Sequence, residues 1–255
     1  MTGTERSAAP GQGAGGSNDR RAAARWRDAR VVEVAHPSVD AVMLRLAVPE
    51  RVQHLPGQHY IVRLRAPDGY VAQRSYSVAS APGDDLIELL VERIEGGEVS
   101  TYLADVVEPG DDLEVRGPIG RWFVWSGRTP AVGIGGGSGV APLVAMLRHA
   151  IDLGDPEQLR LAASATTRTR LPYAGELERA GARIALTREP GGGRLDAEAI
   201  GGLVDPEATV FVCGSTRFTL AMEDYLLAAG QPAPTIRVER FGPTGVEEEP
   251  DGAAG

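Results

Sequence analysis

The spacing of apolar and polar residues divides the chain into two parts. Between residues 26 and 125, short apolar runs alternate with turn residues, a pattern typical of β-strands. The predicted strands are 31–34, 41–48, 60–65, 75–78, 86–94 and 112–115, with one helix over 101–106. Six antiparallel strands leave two exposed edges unless the sheet closes on itself, so we predict a closed or nearly closed β-barrel.

After residue 129, each short apolar run is followed by a helical pattern. The predicted strands are 131–134, 159–164, 184–187, 209–213 and 235–240, and the helices are 143–153, 173–180, 197–204 and 218–229, the last ended by Gly230. This alternation predicts a five-stranded parallel α/β sheet, which binds nucleotides beyond the carboxyl ends of its strands. The fold class is therefore two domains: a six-stranded antiparallel β-barrel at 26–126 and an α/β domain at 127–245.

Composition narrows the function further. Residues 1–25 and 246–255 lack apolar periodicity and are predicted to be disordered tails, the second of them acidic. The formal net charge of -9 argues against a nucleic-acid-binding protein, because neutralising phosphates needs a basic surface. No stretch is long and apolar enough to span a bilayer.

Cys213 is the only cysteine. The chain therefore forms no internal disulfide and cannot supply the four thiolates of an iron–sulfur cluster. We predict no metal site, and a reducing cytoplasmic location fits this cysteine content best.

A glycine-rich segment, Gly133-Ile-Gly-Gly-Gly-Ser-Gly-Val-Ala-Pro142, joins the first parallel strand to a helix. Free N–H groups at a helix start, together with the positive end of the helix dipole, favour a phosphate. The segment lacks the Gly-Lys-Ser/Thr of a nucleoside-triphosphate loop, and Ser138 replaces the third glycine of the usual dinucleotide fingerprint. The alternative is a tight strand-to-helix turn that binds no ligand.

In the barrel part, the segment Arg74-Ser-Tyr-Ser77 places Arg74 and Tyr76 on one face of a strand, because side chains alternate. An aromatic ring and a guanidinium on one face suit a flat ligand with a pyrophosphate tail. The alternative is that both are ordinary surface residues.

Two further glycine motifs follow in the barrel part. Gly96-Gly97-Glu-Val-Ser100 precedes the one predicted barrel helix, with Ser100 expected at its N-cap, and offers a second anion site. Gly117-Pro-Ile-Gly120 predicts a tight turn after the sixth strand.

The order of these motifs resembles the ferredoxin reductase family of FAD-binding, NAD(P)H-oxidising proteins. The matching segments lie within residues 30–245 and are Pro56-Gly-Gln58, Arg74-Ser-Tyr-Ser77, 97–100, 117–120, 135–142 and Cys213-Gly214. Each motif is loose, whereas six motifs in the family's order are specific.

The resemblance implies that the barrel binds FAD. In the family the arginine of the Arg-x-Tyr-Ser motif binds the pyrophosphate, the tyrosine stacks on the isoalloxazine ring and the second serine forms a hydrogen bond to the flavin near N5. These roles fall on Arg74, Tyr76 and Ser77. A second phosphate clamp with residues beside the flavin or its tail is implied at Gly97, Ser100, Arg93 and Val99.

The resemblance also implies that the second domain binds NADPH or NADH. The loop that receives this cofactor falls on Gly136, Gly137, Ser138 and Gly139. Cys213 and Gly214 match a pair beside the nicotinamide, and Glu239 lies in a segment that returns toward the flavin. From the residues alone, Cys213 is as readily explained as a small buried hydrophobic residue. Glu239, a charged residue at a strand end, is as a rule solvated. The implied catalytic residues are Ser77, Cys213 and Glu239.

The choice between NADPH and NADH depends on the residue that meets the adenosine ribose. NADPH-dependent relatives commonly have Ser-x-Arg after the second parallel strand, whereas here Thr166 stands in the arginine's place. Nearby cations that could bind a 2′-phosphate are Arg168, Arg170, Arg188 and Arg194. Since no acidic residue ends that strand, the sequence favours NADPH.

The predicted function is transfer of electrons from NAD(P)H through FAD to a separate acceptor. Three roles stay open, in this order: reduction of an electron-carrier protein or partner oxidoreductase, such as an iron–sulfur protein; reduction of free flavin, a quinone or oxygen; and a non-catalytic role as a flavin-binding subunit of a larger complex. A carbohydrate-binding or oligonucleotide-binding module also uses small barrels, but the acidic charge and the attached nucleotide-type sheet argue against it.

Overall fold

A computed structural model describes residues 23–241. The predicted carboxyl-terminal tail and residues 1–22 of the predicted amino-terminal tail lie outside the described residues. Within 23–241, no helix has the length and apolar character needed to cross a membrane.

The first half of the chain forms a six-stranded antiparallel sheet, as predicted. Its strands are β1 (Trp26–Ser38), β2 (Ala41–Ala47), β3 (His59–Arg65), β4 (Val71–Ser77), β5 (Ile87–Glu92) and β6 (Asp112–Ile119), in the spatial order β4-β3-β6-β1-β2-β5. The two edge strands meet at one point, where Val78 pairs with Leu89 and the Ala79 N–H donates to the Glu88 carbonyl at 2.8 Å. The sheet is therefore nearly closed, and its interior is a continuous apolar core.

One local difference from the predicted elements, at the end of β6, has a packing cause. β6 continues through Gly117 and Pro118, where a tight turn was expected, and only Gly120, with φ +105°, lies at the turn. Gly117 lies against the buried ring of Tyr60, and a Cβ at this position would lie 2.6 Å from the ring Cγ. The glycine is needed for this close approach inside the strand, not for a turn.

The second half forms the predicted five-stranded parallel sheet. Its strands are β7 (Ala131–Gly136), β8 (Leu159–Ala165), β9 (Arg183–Leu186), β10 (Thr209–Ser215) and β11 (Ile236–Phe241), in the order β11-β10-β7-β8-β9. The chain moves outward from β7 to β9 and then returns to place β10 on the other side of β7. The boundary between β7 and β10 is thus the topological switch point, where sheets of this kind bind ligands.

Five helices complete the described fold, with a few short 3-10 turns. They are α1 (Glu98–Asp105) in the barrel half and α2 (Ala141–Asp152), α3 (Ala174–Arg179), α4 (Ala197–Gly201) and α5 (Thr216–Ala228) around the parallel sheet. α5 begins two residues before its predicted start because the Ser215 hydroxyl accepts from the Phe218 N–H at 3.4 Å. It ends at Ala228, and the predicted Gly230 follows two residues later with a φ of +93°.

The two halves share a small buried contact. Ala79 and Leu90 of the barrel pack with Ala141, the first residue of α2, and with the half-buried Tyr173. The start of α2 therefore lies directly against the barrel at Ala79, which follows Ser77 by two residues.

Candidate functional site

The glycine-rich segment forms a strand-to-helix turn at the switch point, as predicted. β7 ends at Gly136, a 3-10 turn covers Gly137–Val140, and α2 follows at once with Pro142 in its first turn. Gly137 has φ +57°, which favours glycine. Among residues 23–241 no side chain caps the N–H groups of this turn, so they are available to an anion.

Gly139 brings the two nucleotide motifs of the second domain together. A Cβ at position 139 would lie 2.4 Å from the Cys213 carbonyl oxygen and 2.8 Å from the Gly214 Cα. Gly214 itself has φ +152° and lies near the Phe218 ring. The turn after β7 and the end of β10 are thus in backbone contact across the switch point.

Cys213 is buried beneath this contact. Its side chain is 0% exposed and belongs to an apolar cluster with Phe211 and Leu143. Burial raises the pKa of the Cys213 thiol well above its usual value, and the nearby Glu239 carboxylate adds to the rise. The thiol is therefore protonated at neutral pH and is not a thiolate nucleophile.

Glu239 is the neighbour of Cys213 on β11, paired with it in register. Its Oε2 atom is buried and has no hydrogen-bond partner among the described residues. Burial raises the pKa of the Glu239 carboxyl to about 7. A carboxyl group that titrates near neutral pH, one strand away from the switch point, can hold or release a proton there.

The barrel residues of the Arg-x-Tyr-Ser motif lie on β4. Register places Arg74 opposite Val62 and Tyr76 opposite Tyr60, so the two side chains share a face as predicted. Arg74 is exposed and donates to the Gln73 carbonyl at 2.7 Å, whereas Tyr76 is 9% exposed and packs in the barrel core. Burial raises the pKa of the Tyr76 phenol, which is therefore neutral at physiological pH.

The start of α1 corrects one predicted role. The N-cap is Gly97, not Ser100, which is the third helical residue. The buried Ser100 hydroxyl accepts from the Ile94 N–H at 3.2 Å and donates to the Gly97 carbonyl at 3.3 Å. A Cβ on Gly97 would lie 2.6 Å from that hydroxyl oxygen. Ser100 thus holds the backbone of the loop before α1 by hydrogen bonds and does not cap the first N–H groups of the helix.

Val99 and Arg93, the other two residues predicted beside the flavin or its tail, differ in exposure. Val99 is buried in the barrel core. Arg93 is exposed and forms an ion pair with Asp105 at 2.8 Å. It borders a cleft of about 470 Å³ whose other lining residues are Glu95, Gly96, Gly97, Glu98, Thr101, Tyr102 and Val106.

These features fit the phosphates of a flavin dinucleotide. Among the described residues, no side chain caps the N–H groups at the start of α1. α1 packs against β4, the strand that carries Arg74, and the Tyr70 hydroxyl donates to Glu98 in the first turn of α1 at 2.9 Å. The strand that carries the exposed Arg74 therefore packs against the helix whose first N–H groups are uncapped, and both kinds of group suit a pyrophosphate.

Strand β5 connects the two halves of the site. Val78, which follows Ser77, pairs with Leu89 on β5, and three residues farther Glu92 accepts a hydrogen bond from the Ser138 hydroxyl of the glycine-rich turn. Three residues of a strand span about 10 Å. The predicted flavin residues and the predicted nicotinamide loop therefore border one region. Glu92 was not predicted from the sequence, because only the domain arrangement brings it to Ser138.

Comparisons with known proteins agree with this arrangement. Residues 28–124 match the family of oxidoreductase FAD-binding domains. The chain is 30% identical over 236 residues to the reductase component of propane 2-monooxygenase from Rhodococcus jostii, covering 83% of this chain and 62% of that protein. It is 28% identical over 216 residues to the electron transfer component of toluate 1,2-dioxygenase from Pseudomonas putida, covering 80% and 63%. The chain thus spans a little over three fifths of the length of these relatives.

The fold has solved counterparts. The flavohem-like FAD/NAD-binding domain of nitric oxide dioxygenase from Vibrio cholerae superposes with a TM-score of 0.75 at 23% identity. The match covers 85% of this chain and 99% of that one. Both halves, in the same order, are therefore present in a known FAD/NAD-binding fold.

Proposed function

We propose that the chain is a ferredoxin reductase-like oxidoreductase with an FAD-binding domain, and that it passes electrons from a nicotinamide cofactor to a separate redox protein. The observation that carries the proposal is the pair of uncapped helix starts, at Gly97 and at the turn after Gly136, joined through β5. Each suits one dinucleotide. FAD, when bound, supplies the change from a two-electron donor to single-electron delivery.

The residues of this chain hold and orient the two cofactors. In the proposal, Arg74 and the start of α1 bind the FAD pyrophosphate, while Tyr76 and Ser77 border its ring. The turn Gly136–Gly139 binds the phosphates of the nicotinamide cofactor, and Gly214 allows its close approach to β10. Glu239 holds or releases a proton at Oε2, and the neutral Cys213 thiol excludes water beneath the turn.

A protein acceptor is favoured over a small molecule. The relatives above are named as components that serve a monooxygenase and a dioxygenase. The 255 residues hold a single cysteine, so electrons leave them without an iron–sulfur cluster of their own. We therefore propose an iron–sulfur protein or a partner oxidoreductase as the acceptor.

Anaerobic titration tests the proposal. The purified chain, loaded with FAD, should lose its flavin absorbance on addition of stoichiometric NADH or NADPH. An added iron–sulfur protein should then restore the absorbance faster than free flavin or a quinone does. Bound FAD that neither nucleotide bleaches would contradict the enzymatic role and support a non-catalytic subunit.

Arg74→Ala should loosen FAD about ten- to a hundredfold in Kd, because one charge-assisted contact to phosphate contributes about 1.5–3 kcal/mol. Fluorescence titration of the apoprotein with FAD measures this change. Arg30→Ala is the matched control, since Arg30 is an exposed barrel arginine paired with Asp112. Equal FAD affinity in both variants would remove Arg74 from the site.

Cys213→Ala should slow reduction of the flavin by the nicotinamide cofactor and leave the FAD content unchanged. The truncation removes the buried sulfur from the apolar cluster beneath the glycine-rich turn, in the domain that does not hold FAD, and leaves the backbone contact with Gly139 in place. Stopped-flow absorbance under anaerobic conditions measures the rate. An unaltered rate would assign Cys213 to core packing alone.

A further inference from the structure

A carboxylate from the loop after β9 lies near the end of β8. Oε1 of Glu189, three residues after β9, accepts a hydrogen bond from the Arg168 N–H at 2.6 Å. Arg168 is the first residue of a 3-10 turn that follows β8. No acidic residue lies at this strand end in the sequence, and the acid that reaches it is supplied by the loop after β9.

The segment that carries Glu189 is held by its backbone. The Thr187 and Arg188 N–H groups donate to the Ala165 and Thr166 carbonyls at 2.9 and 2.8 Å. A tight turn then brings the Gly192 N–H to the Glu189 carbonyl at 2.9 Å. A Cβ at position 192 would lie 1.9 Å from the Leu186 carbonyl oxygen, so glycine is required there.

Two of the four arginines near this carboxylate form ion pairs with other acidic residues. The Arg168 guanidinium pairs with Glu178 at 2.7 Å, and Arg170 pairs with Asp40 of the barrel at 2.7 Å. Within residues 23–241, Arg188 and Arg194 are exposed and have no ion-pair partner. The backbone N–H that could have bound a 2′-phosphate, that of Arg168, already binds Glu189.

We propose that Glu189 makes the nucleotide site selective for NADH over NADPH. The inference rests on the proposed function, since it takes the nicotinamide cofactor to bind at the switch point, with its adenosine ribose at the end of the adjacent strand β8. A carboxylate accepts hydrogen bonds from the hydroxyls of a free ribose. The same carboxylate repels a 2′-phosphate and occupies the donor that the phosphate would use. The donor preference is therefore opposite to the one that the strand-end sequence favours.

Binding of two nucleotide fragments tests this inference without any need for flavin or turnover. The probes are 5′-AMP, which has the free ribose, and 2′,5′-ADP, which has the 2′-phosphate. Calorimetry on the full chain should show at least tenfold tighter binding of 5′-AMP. Glu189→Gln should reduce that ratio to threefold or less, chiefly by improving the binding of 2′,5′-ADP.

Two variants serve as controls. Glu198→Gln removes an exposed carboxylate in the first turn of α4 and should keep the wild-type ratio. Arg188→Ala should also keep the ratio within twofold. Tighter binding of 2′,5′-ADP by the wild type, an unchanged ratio in Glu189→Gln, or a larger change in Arg188→Ala than in Glu189→Gln would each overturn the inference.

Turnover separates this inference from the proposed function. The FAD-loaded chain should show kcat/KM at least tenfold higher with NADH than with NADPH. Glu189→Gln should reduce the ratio of the two kcat/KM values. If both cofactors bleach the flavin equally well, the selectivity is wrong and the oxidoreductase function stands. If neither cofactor bleaches it while 5′-AMP still binds at least tenfold more tightly than 2′,5′-ADP, the proposed function is wrong and the selectivity stands.

Discussion

Arg148→Ala should lower the free energy of unfolding by about 3–5 kcal/mol, the range for removing one partner of a buried ion pair. Arg148, on α2, donates to Glu88 of the barrel at 2.8 Å and to Glu176 at 2.9 Å. The Glu88 side chain is only 8% exposed and also accepts from the Tyr173 hydroxyl at 2.9 Å. Removing the guanidinium leaves this buried carboxylate with the Tyr173 hydroxyl as its one donor from the other domain and with a longer ion pair, 3.8 Å, to Arg45 of the barrel.

The electrostatics of Arg148 support a large effect. Burial lowers the pKa of the guanidinium, but hydrogen bonds and charges from Glu176 and Glu88 outweigh burial and raise it overall. Urea denaturation, followed by circular dichroism at neutral pH, measures the loss of stability. Arg160→Ala is the matched control, because Arg160 forms an exposed pair with Asp205 and should lose less than about 1 kcal/mol. Similar losses in the two variants would show that the contact between the halves adds nothing beyond a surface pair.

Glu239 should contribute a loss of about 3 kcal/mol to the free energy of unfolding of the wild type as the pH rises from 4.5 to 7. An unfolded glutamate ionises near pH 4.5, whereas burial raises the pKa of the folded Glu239 carboxyl to about 7. Between these values the folded chain keeps a proton that the unfolded chain releases, so a rise in pH favours unfolding. Above pH 7 both forms are ionised and the difference becomes constant.

Glu239→Gln should lack this component. Urea unfolding from pH 4.5 to pH 8 should give a stability difference between the variant and the wild type that grows up to pH 7 and then levels off. Glu207→Gln, at an exposed glutamate of the same domain, should track the wild type throughout. A difference that does not change with pH would mean that Glu239 ionises as an ordinary surface carboxyl.

The architecture was predictable because its signals are local. The period of apolar residues in the barrel half and the alternation of strands and helices after residue 129 each report on a few neighbouring positions. The turn at Gly136–Gly139 was found for the same reason, since a glycine-rich segment between a strand and a helix is readable from consecutive letters. The position of Arg74 and Tyr76 on one face followed from the two-residue period of a strand.

The contacts that define the site were not predictable, because they join segments far apart in the chain. Glu189 reaches the end of β8 only through pairing beyond β9, and Glu92 reaches Ser138 only through the docking of the two halves. Ser100 was placed at the helix cap by residue type, yet its hydroxyl turns inward because Gly97 already begins the helix. Residue preferences identify candidates for such roles, and the tertiary structure decides among them.

The contact of Gly139 with the end of β10 has an evolutionary consequence. A methyl group at position 139 would overlap backbone atoms of Cys213 and Gly214, which cannot move aside as a flexible side chain could. A homologue with a larger residue at position 139 must therefore have a displaced β10 terminus. Substitutions in these two distant segments should accordingly be found together in descendants of this chain, and seldom singly.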